Sequence, residues 1–254
     1  MDEDLKQFWS DDAQHYGDFV RRGYEKDKER KAWESLYAEV LEGCGKKALD
    51  CGCGPGTASM RLTDLGFQVL GLDYSPQMLE QARGNAERYG LKIDFVEGDA
   101  ENLQFEDNTF DVIVSQYMLW TVPHPEKVLS EWYRVLRPGG RLAYIDGDWM
   151  DYSRDTFLRR KTMKFFKLFE YPKIKNKMIP TTDRRSPQSK GLWSANAIRP
   201  RDDLKMLETA GFVNIVLKDN IAKRVMPGVR YYANALTHDY FMMVADKPKE
   251  DSTE

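Results

Sequence analysis

The 254 residues carry 38 Lys and Arg against 41 Asp and Glu, for a net charge of −3, with 41% hydrophobic and 12% aromatic content. That is enough apolar material for one α/β domain with additions, and no run approaches the ~20 apolar residues of a membrane-spanning helix. The acidic opening Met1-Asp2-Glu3-Asp4-Leu5 lacks a secretion-signal core, and three cysteines (Cys44, Cys51, Cys53) are too few for a disulfide framework, so the expected setting is cytoplasmic with reduced thiols.

Residues 3–22 read as an amphipathic helix with Phe8, Trp9, Ala13, Tyr16, Phe19 and Val20 on one face. A second helix over 25–42 carries Trp33, Leu36, Tyr37, Val40 and Leu41, and glycines around Cys44 end it. A strand at 46–51 then runs into Asp50-Cys51-Gly52-Cys53-Gly54-Pro55-Gly56-Thr57, a tight turn that opens a helix over 56–65. Glycine suits this turn because it takes positive φ freely and has no Cβ to hold a ligand away.

The next strand, 68–73, ends in Asp73, and Ser75-Pro76 caps a helix running to Tyr89. Strands follow at 92–97 and 110–115, then a helix from Pro125 to Arg137, a break at Pro138-Gly139-Gly140, and a strand at 141–146. Such alternation predicts a parallel, doubly wound sheet. It stops for about fifty residues, which hold a helix at 153–170 and a loop rich in Lys, Pro, Ser and Thr up to Arg199. A helix from Pro200 closed by Gly211, strands at 212–218 and 239–246, and a frayed tail after Lys247 complete the chain.

A glycine turn followed by an acid at the tip of the next strand is a nucleoside-binding arrangement. Here the spacing is G-x-G-x-G, not the dinucleotide G-x-G-x-x-G, and Thr57 stands where a third dinucleotide glycine belongs. Asp50, just ahead of Gly52, would repel a pyrophosphate but suits a ligand with ammonium and sulfonium groups. In Asp50-Cys51-Gly52-Cys53-Gly54-Pro55-Gly56 the chain resembles the class I S-adenosylmethionine (SAM)-dependent methyltransferases, in particular the type 11, ubiquinone–menaquinone methyltransferase-like group.

Four further stretches carry the resemblance: Gly71-Leu72-Asp73-Tyr74-Ser75-Pro76-Gln77-Met78, Gly98-Asp99-Ala100-Glu101-Asn102-Leu103, Phe110 to Trp120, and Glu131-Trp132-Tyr133-Arg134-Val135-Leu136-Arg137-Pro138-Gly139-Gly140. Motifs cover 46–148 and topology covers 200–247. The resemblance implies a Rossmann-like, seven-stranded sheet of order 3-2-1-4-5-7-6 with strand 7 antiparallel. It also implies a SAM-binding domain over 46–247, a helical lid from 1–45 and an insertion at about 149–199, and a tail at 248–254. SAM would be held by Asp50, Gly52, Gly54 and Gly56, by Asp73 on the ribose with Tyr74 and Met78 nearby, by Asp99 and Ala100 on adenine, and by Ser115 and Gln116 through backbone groups. The last stretch reads as structural.

Absences sort the subclass. There is no [D/N]-P-P-[Y/F] after the fourth strand, no Pro-Cys nucleophile, no acids placed there for a metal, and no ligands to complete a metal set with Cys51 and Cys53. In-line methyl transfer to a small-molecule acceptor is therefore the leading expectation, by a monomer or homodimer. Tyr16, Tyr117, Trp120 and Asp148 are candidate acceptor contacts, and Tyr16 and its aromatic neighbours are placed to close over a sulfonium. His15, Tyr16 and Asp146 are the candidates for a catalytic role, with His124 read as a cap or surface residue. The segment 151–199 holds 13 Lys and Arg against 4 Asp and Glu, a local +9 that leaves −12 for the rest. A solvated helix face explains it, and an RNA methyltransferase using it is the alternative. A SAM-binding protein without transfer activity, and more remotely a dinucleotide dehydrogenase, are the other readings.

Overall fold

The computed structural model describes residues 3–149, 156–170, 192–226, 228–234 and 240–249. In chain order the elements are α1 (Glu3–Glu25), α2 (Asp27–Val40), β1 (Lys47–Cys51), α3 (Thr57–Asp64), β2 (Gln68–Asp73), α4 (Pro76–Arg88), β3 (Asp94–Glu97), β4 (Phe110–Gln116), α5 (Pro125–Val135), β5 (Leu136–Gly147), α6 (Phe157–Glu170), α7 (Arg201–Thr209), β6 (Val213–Lys218), α8 (Ile221–Val225), α9 (Val229–Asn234) and β7 (Tyr240–Asp246). Short 3₁₀ turns stand at Leu119–Thr121 and Trp193–Ala195.

The sheet runs β3-β2-β1-β4-β5-β7-β6, the order the resemblance implies. β1 to β5 are parallel, and β7 lies antiparallel between β5 and β6. The order reverses between β1 and β4, so the chain leaving these two strands parts in opposite directions and opens a crevice at their C-terminal ends. Successive residues of a strand point to opposite faces, and here both faces are covered. Val112 and Val114 of β4 join Trp33, Leu36 and Tyr37 of α2 and Leu62 of α3 on one side. Ile113 between them packs with Val128, Leu129 and Trp132 of α5 and Leu207 of α7 on the other.

Three differences from the sequence reading have identifiable physical causes. β5 begins at Leu136 instead of 141, so α5 stops at Val135. The Pro138-Gly139-Gly140 stretch is not a break: Gly139, at φ 75°, donates its N–H to the Lys247 carbonyl at 2.9 Å, and Lys247 donates back to the Gly140 carbonyl. A register shift between Phe110 and Val112 absorbs the irregularity. The same contacts hold 247–249 in place where a frayed end was expected, with the Lys247 ammonium bonded to Asn108 Oδ1 and to the Tyr133 and Leu136 carbonyls. Residues 250–254 lie outside the described part. Finally, α8 and α9 were not foreseen, because neither five nor six residues carry a readable helical period.

Candidate cofactor site

The crevice beside β1 is shaped by glycine. Gly52, Gly54 and Gly56 take φ of 71°, 51° and 80°. A Cβ on Gly52 would sit 2.4 Å from Met118 Cγ, whereas the nearest atom to one on Gly54 is Tyr16 Cε1, at 3.9 Å. Gly52 and Cys53 both donate their N–H groups to the Leu72 carbonyl, at 2.8 and 2.9 Å, which ties the turn to β2. The turn is thereby rigid on its sheet side and open toward α1.

Two adjoining cavities flank it. One, with about 600 Å³ of empty volume, is lined by Leu72, Asp73, Tyr74, Met78, Gly98, Ala100, Thr121 and Val122 among others, and Trp9 stands at its α1 side. The second, of about 560 Å³, is lined by Asp50, Thr57 and Arg61 and reaches Glu29 and Trp33 of α2. Tyr16, Gly52, Gly54, Gln116 and Tyr117 line both. Together they make a bent, divided space around the glycine turn.

Asp73 is the buried carboxylate of the first cavity, and the second holds two, Asp50 and Glu29. Asp73, at the tip of β2, accepts from Gly54 N (2.8 Å) and Ser75 N (3.0 Å). Burial pushes its carboxyl up to about 6, against those two donors. Asp50 is fully buried. Its Oδ2 accepts from Ser59 Oγ at 2.6 Å, while Oδ1 has no hydrogen-bond partner. Burial pushes this carboxyl up to about 7, with Asp73 adding to the shift and Ser59 and Arg61 opposing it. A buried acceptor left without a donor is costly. At the wall of a cavity it is a place for a ligand's cation. Arg61, buried on α3 with its guanidinium 4.8 Å over the Trp33 ring, gives the same cavity a positive group.

The other expected residues divide. Ala100 reaches the first cavity, but Asp99 does not line it, and its Oδ1 accepts from Glu101 N at 2.9 Å in a turn. Ser115 Oγ donates to the Cys51 carbonyl at 2.7 Å and so ties β4 to β1, outside both cavities. Tyr117 takes a left-handed backbone at φ 61°, unusual for a bulky residue, which swings it across the crevice end of β4. Its hydroxyl is buried without a hydrogen-bond partner, and burial holds its pKa well above the usual value.

Trp120 and Asp148 line neither cavity. The side chains of His15, Phe8 and Phe19, and all of His238, lie outside the described part. His124 is exposed and pairs with Glu101 at 3.0 Å.

Asp146 does not have the geometry of a base. It is fully buried, and each oxygen takes two donors: Oδ1 from Gly147 N (2.9 Å) and Trp149 Nε1 (2.7 Å), Oδ2 from Trp120 N (3.0 Å) and Arg199 Nη1 (2.9 Å). No lone pair is left for a substrate proton, so Asp146 is an anchor for the turn after β4. Sequence reasoning missed its partner. The Arg199 guanidinium is buried between the Trp193 and Phe241 rings, 4.9 and 5.2 Å from their centroids, and also pairs with Asp203. Burial works against its charge, but Asp146 and Asp203 outweigh that and raise its pKa. Trp193 Nε1 and Ser194 Oγ then bond the Leu119 and Trp120 carbonyls, both at 2.8 Å. Four side chains from three places in the chain thus fix the wall that carries Met118, Thr121 and Val122.

The sheet order with a glycine turn and acid at its reversal point defines the class I SAM-binding architecture. A family model described as "Methyltransferase domain" matches residues 49–144. The demethylmenaquinone methyltransferase of Geobacillus sp. (strain WCH70) is 32% identical over 183 residues, covering 68% of this chain and 74% of that protein. The protein of the same name from Paenarthrobacter aurescens (strain TC1) is 37% identical over 117 residues, covering 46% of this chain and 45% of its own. Against several such relatives the chain spans about half of their length. A solved SAM-dependent methyltransferase of Thermotoga maritima shares the fold, with a TM-score of 0.56 and 18% identity over 92% of this chain and 97% of that one. The chain belongs to the SAM-dependent methyltransferase family.

Among the described residues no group of His, Cys, Asp and Glu could hold a metal ion, the three cysteines are free, and no helix is long and apolar enough to cross a membrane.

Proposed function

We propose that this protein transfers the methyl group of SAM to a small, apolar, ring-bearing acceptor. The observation that carries the reading is the pair of buried carboxylates at the glycine turn, Asp73 in one cavity and the half-unpartnered Asp50 in the other, where the two cavities meet at Tyr16, Gln116 and Tyr117. Such a pair suits a ligand with ribose hydroxyls at one end and an ammonium at the other. Bound SAM supplies a sulfonium-activated methyl that an acceptor nucleophile takes by in-line displacement, leaving S-adenosylhomocysteine.

The chain's own residues hold, orient and exclude water. Asp73 has lone pairs left for ribose hydroxyls, and Gly98, Ala100, Leu72 and Val122 wall a flat slot for a base. Asp50 Oδ1 takes the ammonium and Arg61 faces the carboxylate. Tyr16 and Tyr117, on both sides of the junction, put electron-rich rings near the sulfonium, and α1 acts as the cover that keeps water out. With Asp146 saturated, positioning and desolvation carry the catalysis. Trp9 and Tyr16, whose ring centroids are 5.8 Å apart, offer an aromatic mouth to the acceptor. That suits a ring such as demethylmenaquinone, for which the two relatives above are named.

The test is to incubate the protein with SAM and a short-chain demethylmenaquinone reduced to its quinol with dithionite, followed by mass spectrometry of S-adenosylhomocysteine and of the naphthoquinone. Methylated quinone is expected. A rise in melting temperature with SAM but no S-adenosylhomocysteine from any acceptor makes the protein a binder, and a rise with NAD alone overturns the cofactor.

A further inference from the structure

Among the described residues, eight large apolar side chains stand out in solvent, and three of them belong to α6. α6 leans on α9 through Phe166, whose ring stacks on Tyr232 with centroids 5.0 Å apart. Among the described side chains, those on the arc away from that contact face solvent. At 3.6 residues per turn Lys164, Phe157, Lys161, Phe165 and Leu158 fall within an arc of about 120°. Phe157, Leu158 and Phe165 on that arc are 69%, 73% and 55% exposed. Both lysines are exposed too, and the Lys161 ammonium lies 4.5 Å over the Phe157 ring.

A helix that faces only water places polar residues on such an arc. A helix that docks on another protein keeps charge out of the centre of the contact. Here phenyl and leucyl groups alternate with lysines, which is the pattern of a helix lying in a lipid interface: rings enter the boundary of the acyl chains while flexible ammonium groups reach the phosphates. Charge complementarity fixes the partner's sign. On α6 itself Arg159, Arg160, Lys161, Lys164 and Lys167 stand against Glu170 alone, so the helix is cationic in a chain of net charge −3. An anionic bilayer would attract this face and repel the rest, which sets one orientation. RNA would meet the lysines but leave Leu158 in water.

We propose that the exposed face of α6 docks the protein on an anionic lipid surface. The inference stands apart from the methyl-transfer reading, since it needs no cofactor.

The test is co-sedimentation of the full chain with phosphatidylcholine vesicles, with and without phosphatidylglycerol, at low and high salt. Binding is expected only with phosphatidylglycerol present and should weaken as salt is raised. Phe157→Ser/Phe165→Ser and Lys161→Glu/Lys164→Glu should each lower the partition about tenfold or more. Both pairs are solvent-exposed, so the melting temperature should hold, and the lysine pair decides the matter if the phenylalanine pair misfolds. No binding of the parent chain, or binding undiminished in the lysine variant, overturns the proposal. So does tighter binding to RNA than to vesicles, or a dimer that the substitutions dissolve without any vesicle binding. SAM affinity, measured on the same samples, reports separately on the cofactor site.

Discussion

The two walls of the crevice are built by different means. The wall formed by the glycine turn, Asp73 and the Gly98–Ala100 corner is made of short stretches whose polar groups find partners a few residues away or on the next strand. The opposite wall, the turn after β4, is held from a distance: Asp146, Arg199 and Asp203 come from β5, a loop and α7. The first wall can therefore be altered one group at a time. The second is held by Trp193, Ser194 and a buried charge cluster with Arg199 at its centre.

The largest effect should come from removing that cation. Arg199→Met keeps much of the volume but leaves Asp146 and Asp203 buried without a positive charge, and breaking a buried pair in this way costs roughly 3–5 kcal/mol. Urea unfolding should show the loss, and it should be pH-dependent. With the arginine gone, Asp146, whose carboxyl burial already holds above the ordinary ~3.9 of an aspartate, loses the charge that opposes that rise, so stability should fall as pH climbs above that value and recover in acid. A variant that melts like the parent at neutral pH would show that both walls are locally held, and the contrast would collapse.

Next in size is Asp73→Ala. Hydrogen bonds to a charged group contribute about 1.5–3 kcal/mol each, so SAM affinity measured calorimetrically should drop about tenfold or more. Asp73→Asn, which keeps the shape and one acceptor for Gly54 N–H, should lose less. Equal affinities for parent and both variants would remove the ribose from this position.

These two residues also show how far the chain could be read unaided. Asp73 was legible because its environment is local: an apolar strand, an acid at its tip, and a Ser-Pro cap that Ser75 Oγ completes on Met78 N at 3.2 Å. The alternation of strands and helices was a signal of the same kind and predicted a parallel, doubly wound sheet, whereas the strand order came with the family resemblance. Arg199 was not legible, because its partner Asp146 lies 53 residues away and nothing in the intervening composition points to it. Asp146 was misread for the same reason, since an acid at a strand tip looks available until its four donors are seen. Pro138-Gly139-Gly140 read as a break because its partner, Lys247, enters from the far end of the chain. Tyr117 could be foreseen as a wall residue, but its left-handed backbone could not, as no bulky side chain advertises it.

Asp50 offers a finer test of the first wall, through pH. Its carboxyl sits at about 7 in the free protein because burial outweighs Ser59. Between the unfolded value near ~3.9 and about 7 the folded state holds a proton that the unfolded chain has released, so this group makes the free protein less stable as pH rises through that window. An ammonium at Oδ1 needs the carboxylate and pulls the pKa down. SAM should then bind with proton release near neutrality, and more weakly as pH falls below about 7, with Asp73 (about 6) contributing at the lower edge. Calorimetry in buffers of different ionisation enthalpy measures the proton count. Asp50→Asn should remove most of it, and a proton count unchanged in that variant would place the ammonium elsewhere.

The smallest effect belongs to Tyr16, where ring and hydroxyl can be separated. The side chain touches both cavities and stands edge-on to Trp9 at 5.8 Å. If the ring acts by facing a cation, its loss costs about 0.5–2 kcal/mol, so Tyr16→Leu should reduce kcat/KM from a few-fold to roughly thirtyfold. Tyr16→Phe keeps the quadrupole and should stay near the parent. The split between kcat and KM carries the meaning: a ring that stabilises developing charge changes kcat, whereas one that merely closes the mouth changes KM for the acceptor. Were Tyr16→Phe as damaging as Tyr16→Leu, the hydroxyl and not the ring would be the working group, and α1 would be a source of hydrogen bonds to the acceptor.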